Sequence, residues 1–156
     1  LVSLNFCSLL FVSCSPFSCL LTMVKIFKAG KLVLVLQGRF AGHKALVLQS
    51  NETGSKDRPF PHSLVVGIAR YPRKVHRRMN RKKVANRSRI QPFLKMYNHS
   101  HLLPTRYNID LQKDIKGKVS VAEKSSKQLG LKIVKKVLQE RYVEGKDKFF
   151  FKKLRF

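Results

Sequence analysis

LVLVLQGRFAGHKALVLQ, residues 32–49, sets two Val- and Leu-rich runs on either side of a short stretch bracketed by Gly38 and Gly42. The runs 32–37 and 44–49 have β-type composition, and glycines between such runs predict a hairpin. A turn only has to reverse the chain, yet this one also carries Arg39, His43 and Lys44. Glycines lack a Cβ, so the backbone at Gly38 and Gly42 can turn sharply and approach a partner closely. Arg39 then projects a planar donor fork suited to phosphate or a base edge. Phe40 either packs in the core, which is the preferred reading, or stacks on an exposed base.

Further strands follow from the hairpin outward. Residues 50–62, SNETGSKDRPFPH, read as a polar loop, and 63–69, SLVVGIA, as a strand in which Gly67 marks a bulge or a close approach. The run 90–97, IQPFLKMY, is strand-like, but Pro92 confines it to an edge or a strand start. Residues 102–111 supply one more strand after Pro104. Several short strands with turn signals between them predict a small β-barrel over about 25–112. Beyond it the pattern turns helical. Ser120 and Glu123 fit a capping box, and Leu131, Val134, Leu138 and Tyr142, with Val137 alongside, make one apolar stripe. Gly130 allows a break in this helix, and Gly145 is a sensible stop. The end, 146–156, reads KDKFFFKKLRF, a basic aromatic tail too short to fold alone.

Charge narrows the function. The 156 residues hold 33 Lys plus Arg against 8 Asp plus Glu, a formal charge of +25. Self-repulsion on that scale opposes compaction and calls for a polyanionic partner. A hydrophobic content of 44% excludes a purely disordered basic tail. The densest stretch, 70–89, carries ten Lys or Arg in twenty residues and no acid. A solvated helix face usually mixes signs, so this run reads as a binder of closely spaced phosphates, released counterions driving the association. Its own repulsion predicts that it orders on the polyanion.

Residues 1–22 differ from everything after them: they hold no charged residue, all three cysteines and five serines. Three readings compete for this head: a stretch outside the working protein, which would then begin at Met23; a secretory signal, though without a clear positive n-region; and a membrane span, weakened by Pro16. Cys7, Cys14 and Cys19 fit no zinc spacing, and no cysteine follows Met23, which suits a reducing compartment. His99 and His101 would share one face of a strand, but no nearby carboxylate or cysteine completes a metal site. No phosphate-cradling Gly-Lys-Ser/Thr loop is present, and His62 beside Ser63 is not by itself a nucleophile–base pair. An enzyme, a metal centre and a cofactor are therefore not expected.

The stretch from Gly30 to Val47 resembles a KOW motif, an RNA-binding hairpin of small SH3-like barrels. A longer likeness, in order over about 23–156, is carried by Asp57–Phe60, Arg70–Val75, His101–Tyr107, Glu140–Tyr142 and the ending Lys153–Phe156. These motifs are similar to the eukaryotic-type large-subunit ribosomal protein twenty-seven family. The chain departs from that family at His43, where Arg or Lys is usual, and at Pro61, Leu103 and Phe149, and 108–135 matches poorly. A free imidazole is mostly uncharged near neutral pH, which weakens one expected phosphate contact at His43.

The resemblance implies an α+β fold: an SH3-like (KOW) β-barrel over 23–112 with a basic insertion at 70–89, then a helical extension and tail over 113–156. It implies a cytoplasmic, non-catalytic component of the large ribosomal subunit that binds ribosomal RNA beside neighbouring ribosomal proteins, with no small-molecule substrate and no membrane. The expected RNA-binding residues are Lys31, Arg39, His43, Lys44, Arg58, Arg70, Arg73, Lys74, Arg77, Arg78, Arg81, Lys82, Lys83, Arg87, Arg89, Arg106, Lys152, Lys153 and Arg155. Tyr71, Tyr107 and Phe149–Phe151 are expected to stack on bases or wedge against neighbouring proteins. Charge alone also permits a duplex-DNA binder, or a secreted cationic protein that attacks anionic membranes with residues 1–22 as its signal.

Overall fold

A computed structural model describes residues 25–111, Ile115, Val119 and 124–155. The expectations for residues 1–22 and for the capping box at 120–123 lie outside the described residues. Strands β1 (Lys31–Val35), β2 (Lys44–Asn51), β3 (His62–Arg70), β4 (Gln91–Asn98) and β5 (Leu102–Asn108) form one antiparallel sheet in the order β4-β3-β2-β1-β5. The basic run 70–89 starts on the last residue of β3, makes up nearly all of the connection to β4 and contains helix α1 (Arg81–Arg87). Helix α2 (Lys124–Glu144) and the single turn α3 (Lys148–Phe151) follow in the C-terminal part.

The apolar runs are nearly continuous because this sheet is buried on both faces. The row Leu32–Leu46–Val66–Leu94 lies on one face and joins a core with Val134, Leu138, Phe150 and Phe151. The neighbouring row Val33–Ala45–Gly67–Phe93 lies on the other and joins Val35, Val47, Val65, Tyr97 and Leu102. Side chains alternate across a strand, so one run of Val and Leu feeds both cores.

The second core exists because the sheet curls. β4 and β5 are its two edges, yet only the 3₁₀ turn His99–His101 joins them. Across a flat sheet the outer strands would stand about 19 Å apart at ~4.8 Å per strand. Three 3₁₀ residues advance only about 6 Å. The edges must therefore converge at that end. They share no strand ladder, so the sheet is curled but not closed.

Pro92 and Pro104 both sit on edge strands, where a missing N–H costs no ladder bond. Pro92 lies in β4 as expected. Pro104 lies inside β5, opposite Val33, so β5 starts at Leu102 rather than after the proline.

Gly67 is a close-approach site. A Cβ there would run into the Phe93 ring and lie 2.8 Å from the Lys44 carbonyl oxygen, and a backbone oxygen in a ladder cannot step aside. Gly67→Ala is expected to destabilise the protein by about 1–3 kcal/mol through overpacking, read as a lower urea midpoint at unchanged slope.

α2 runs unbroken through Gly130, where a Cβ would stand 3.2 Å from Val119 Cγ1; the glycine admits a neighbouring segment rather than ending the helix. Val134 and Leu138 are fully buried, with Leu131, Val137 and Tyr142 packed beside them. The helix stops at Gly145 (φ +73°), with Gly145 N–H donating to Tyr142 O at 3.2 Å and Lys146 N–H to Arg141 O at 3.2 Å. That pair of bonds is a Schellman cap. The tail then folds back. Phe150 and Phe151 are core residues, which corrects the expectation that they stack on bases or wedge against a neighbour.

Candidate nucleic-acid interface

The hairpin tip is anchored from inside. Gly38 (φ +95°) and Gly42 (φ +75°) take the left-handed backbone that the tight turn needs. Phe40 stacks on Phe93 with centroids 4.0 Å apart and planes 3° apart, so it packs inward. Arg39 stays exposed, its guanidinium carbon 5.5 Å from the Phe40 centroid. His43 is half-buried, stacked on Tyr71 at 5.7 Å, and its Nδ1 lies 2.8 Å from the Ile68 carbonyl. A carbonyl can only accept, so Nδ1 carries the proton. Tyr71 is tied in as well. Its hydroxyl accepts from the Lys44 N–H at 2.8 Å, and burial pushes its pKa up against the opposing effect of that bond. Tyr71 is a buttress of the hairpin in this structure, not a free stacking platform.

Lys44 corrects the expected interface most sharply. It is 1% exposed, and its ammonium donates to the Phe149 carbonyl and, at 2.7 Å, to the Lys152 carbonyl. The same Nζ sits 3.7 Å from the Phe149 ring centroid. Burial, and then repulsion from Lys152, lowers its pKa. This cation fastens the tail to the hairpin and is not presented to a phosphate.

Fastening the tail builds a groove. Arg73 and Lys74, just after β3, face Lys152, Lys153 and Arg155 across a cleft of about 690 Å³ whose wall includes Pro72, Phe149 and Leu154. All five cations are exposed, and no acid lines the cleft. Among the described residues no ion pair reaches any cation of 70–89. The far end of the groove is extended by an aromatic–cation stack: Arg106 lies 5.2 Å from the Tyr107 centroid, and Tyr107 lies 4.6 Å from Phe149. Tyr107 and Phe149 are each 40% exposed, so these two of the expected stacking residues keep accessible ring surface.

The basic connection has a shape of its own. Arg87 Nη1 donates to Lys74 O at 3.0 Å and Arg73 N–H to Arg87 O at 2.9 Å, pinning the end of α1 to the groove bank. Arg87 is thereby half-committed to the protein. Arg77, Arg78, Arg81, Lys82, Lys83 and Arg89 are exposed, as is Arg70 at the end of β3. α1 buries no residue, and Asn80 makes no side-chain cap bond, so little besides the Arg87 ties holds it.

The remaining expected residues do not join this groove: Lys31 is half-buried in β1 opposite Asn108, and Arg58 lines a separate cleft. His99 and His101 lie on the 3₁₀ turn rather than on a strand. His99 Nε2 is 2.6 Å from Ser63 Oγ, its ring stacks on Phe27 at 4.4 Å, and burial lowers its pKa. Ser63 is fully buried, so this pair is a satisfied core hydrogen bond without substrate access. Among the described residues no His, Cys, Asp and Glu cluster could hold a metal, and no helix is long and apolar enough to cross a membrane.

The Ribosomal L27e protein family matches residues 32–156. Large ribosomal subunit protein eL27B of Saccharomyces cerevisiae is 45% identical over 136 residues, covering 86% of this chain and 100% of that protein.

Proposed function

We propose that this chain, which belongs to the Ribosomal L27e protein family, is a structural component of the large ribosomal subunit that binds and braces ribosomal RNA. The observation that carries the reading is the acid-free groove between Arg73–Lys74 and Lys152–Arg155. Its two banks come from distant parts of the chain, and the fold holds their charges together against their own repulsion. A ribose–phosphate backbone laid between them neutralises both banks. Each phosphate contact releases condensed counterions, so the binding is driven by charge and involves no covalent step.

Arg39 at the hairpin tip and the exposed cations of the β3–β4 connection extend the same contact over neighbouring phosphates. α1 tightens when those charges are neutralised. We read the curled sheet as an SH3-like barrel left open between β4 and β5, with the β1–β2 hairpin as its KOW element. The partners are ribosomal RNA and adjacent proteins of the large subunit, in the cytosol. The relatives give no support to a secreted, membrane-attacking protein.

The test is the salt dependence of binding to large-subunit RNA. The five groove cations alone predict a slope of about −4 to −5 in log K against log salt, hence a loss of roughly 10²–10³ in affinity between ~50 and ~200 mM, and the contacts of Arg39 and the β3–β4 connection steepen it further. Affinity indifferent to salt, or no RNA binding by the full chain, would overturn the reading.

A further inference from the structure

A second cleft, of about 530 Å³, lies between the hairpin tip and β4. Gln37 and Gly38 line it from the hairpin, Arg58 and Phe60 from the β2–β3 loop, and Lys95, Tyr97, Asn98 and His101, with Met96, from β4 and the turn after it. It shares no lining residue with the groove described above.

Its chemistry is specific. Arg58 and Lys95 are exposed and no carboxylate lines the cleft, so it favours an anion. Phe60 is 39% exposed, and His62 meets it at 71°. Among the described residues no ring lies parallel to either of its faces, so a planar group can settle on it. The loop that presents it is built, not loose. Ser55 and Arg58 exchange both backbone hydrogen bonds, at 2.9 and 3.0 Å. Gly54 (φ +82°) lets the Arg58 carbonyl come within 2.8 Å of where a Cβ would stand.

Polar groups without internal partners converge on the same space. Among the described residues the side chains of Gln37, Arg58 and His101 make no hydrogen bond, and Asn98 uses only its Oδ1, toward Ser100. These uncommitted side-chain donors and acceptors are available to the edge of a bound ligand. Anionic, planar and rich in hydrogen-bonding edges describes a nucleotide. In a duplex the bases are stacked on one another, and only an unstacked base can reach Phe60.

We propose that this cleft takes one unstacked nucleotide of single-stranded RNA, its base on Phe60, its phosphate between Arg58 and Lys95, and its base edge toward Gln37, Asn98 and His101. The assignment rests on the ribosomal-RNA reading above and adds to it a site for a bulged or looped base.

The test uses the full chain and two probes: a short oligouridylate, whose bases are largely unstacked, and a blunt RNA duplex. Phe60→Ala should weaken oligouridylate binding about 5- to 150-fold, as loss of one base–aromatic stack does, and leave duplex binding and the urea midpoint unchanged. Phe60→Tyr should restore the affinity. Three results would overturn the assignment: equal loss on both probes, no loss on oligouridylate, or polyglutamate outcompeting oligouridylate in a Phe60-dependent way, which would make the cleft an acidic-peptide site. If the wild-type protein bound the duplex and Phe60→Ala were silent on oligouridylate, this site alone would fall. If the wild-type protein bound neither RNA, the ribosomal-RNA reading would fall with it.

Discussion

Lys44→Met should release the C-terminal tail and lower the stability of the fold by about 2–4 kcal/mol. Methionine keeps most of the volume and the unbranched stem, so the change isolates the ammonium. Lys44 is 1% exposed and donates to two carbonyls, those of Phe149 and Lys152. A buried charge is tolerated only when its hydrogen bonds are made, and here the tail backbone makes them. Without the ammonium, both carbonyls lose their donor, at roughly 1–3 kcal/mol each where water cannot replace it. The Phe149 ring also loses the cation 3.7 Å from its centroid.

The loss should begin locally. Amides of 149–155 should exchange faster in Lys44→Met than in the wild type, before the central strands do, because β1–β3 pair without help from the tail. Lys44→Arg should not rescue, since a longer planar fork cannot place donors on both carbonyls in the same space. The Lys44 N–H bond to the Tyr71 hydroxyl survives either change, so the hairpin itself should stay. An unchanged urea midpoint with unchanged exchange at 149–155 would show that Lys44 does not fasten the tail.

That residue also marks where reading the sequence stops. The hairpin, the β-type runs and the basic connection were legible because each signal is local: apolar runs, bracketing glycines, unbalanced charge. Lys44 carries the same local signal as Arg39, a cation beside a glycine turn. Its partners are carbonyls more than a hundred residues away, and nothing near Gly42-His43-Lys44 announces them. Phe150 and Phe151 are hidden for a related reason. Between lysines at the end of a chain they look like exposed aromatics, and only the face built by β1–β4 and α2 gives them a place to be buried.

Curvature was legible in kind but not in degree. Short strands separated by turn signals predict a barrel, but how far the sheet bends, curled and not closed, is set by two edge strands being tied by the three residues His99–His101. The groove itself is a property of the fold. Arg73 and Lys74 were expected to meet phosphate, and so were Lys152, Lys153 and Arg155, but that they face each other follows from the Lys44 clamp and not from either segment.

That geometry separates a site from a diffuse field. Arg73→Glu with Lys74→Glu, or Lys152→Glu with Lys153→Glu, should each weaken binding to large-subunit RNA about 10²-fold at ~0.1 M salt, and reduce the salt slope by about 2, since each lost phosphate contact removes roughly 0.9 from it. All four side chains are exposed and make no ion pair among the described residues, so stability should hold or rise slightly as repulsion falls. The comparison is Arg77→Glu with Arg78→Glu, equal in charge and equally exposed but outside the groove. A protein that attracts RNA only through its net +25 charge would lose the same affinity in all three variants. One that lays a phosphate backbone between two banks loses much more from either bank than from Arg77 and Arg78. Because both banks grip the same strand, the fourfold variant should cost less than the product of the two doubles. Three equal losses would leave the charge without a groove, and full additivity of the banks would show that they hold separate strands.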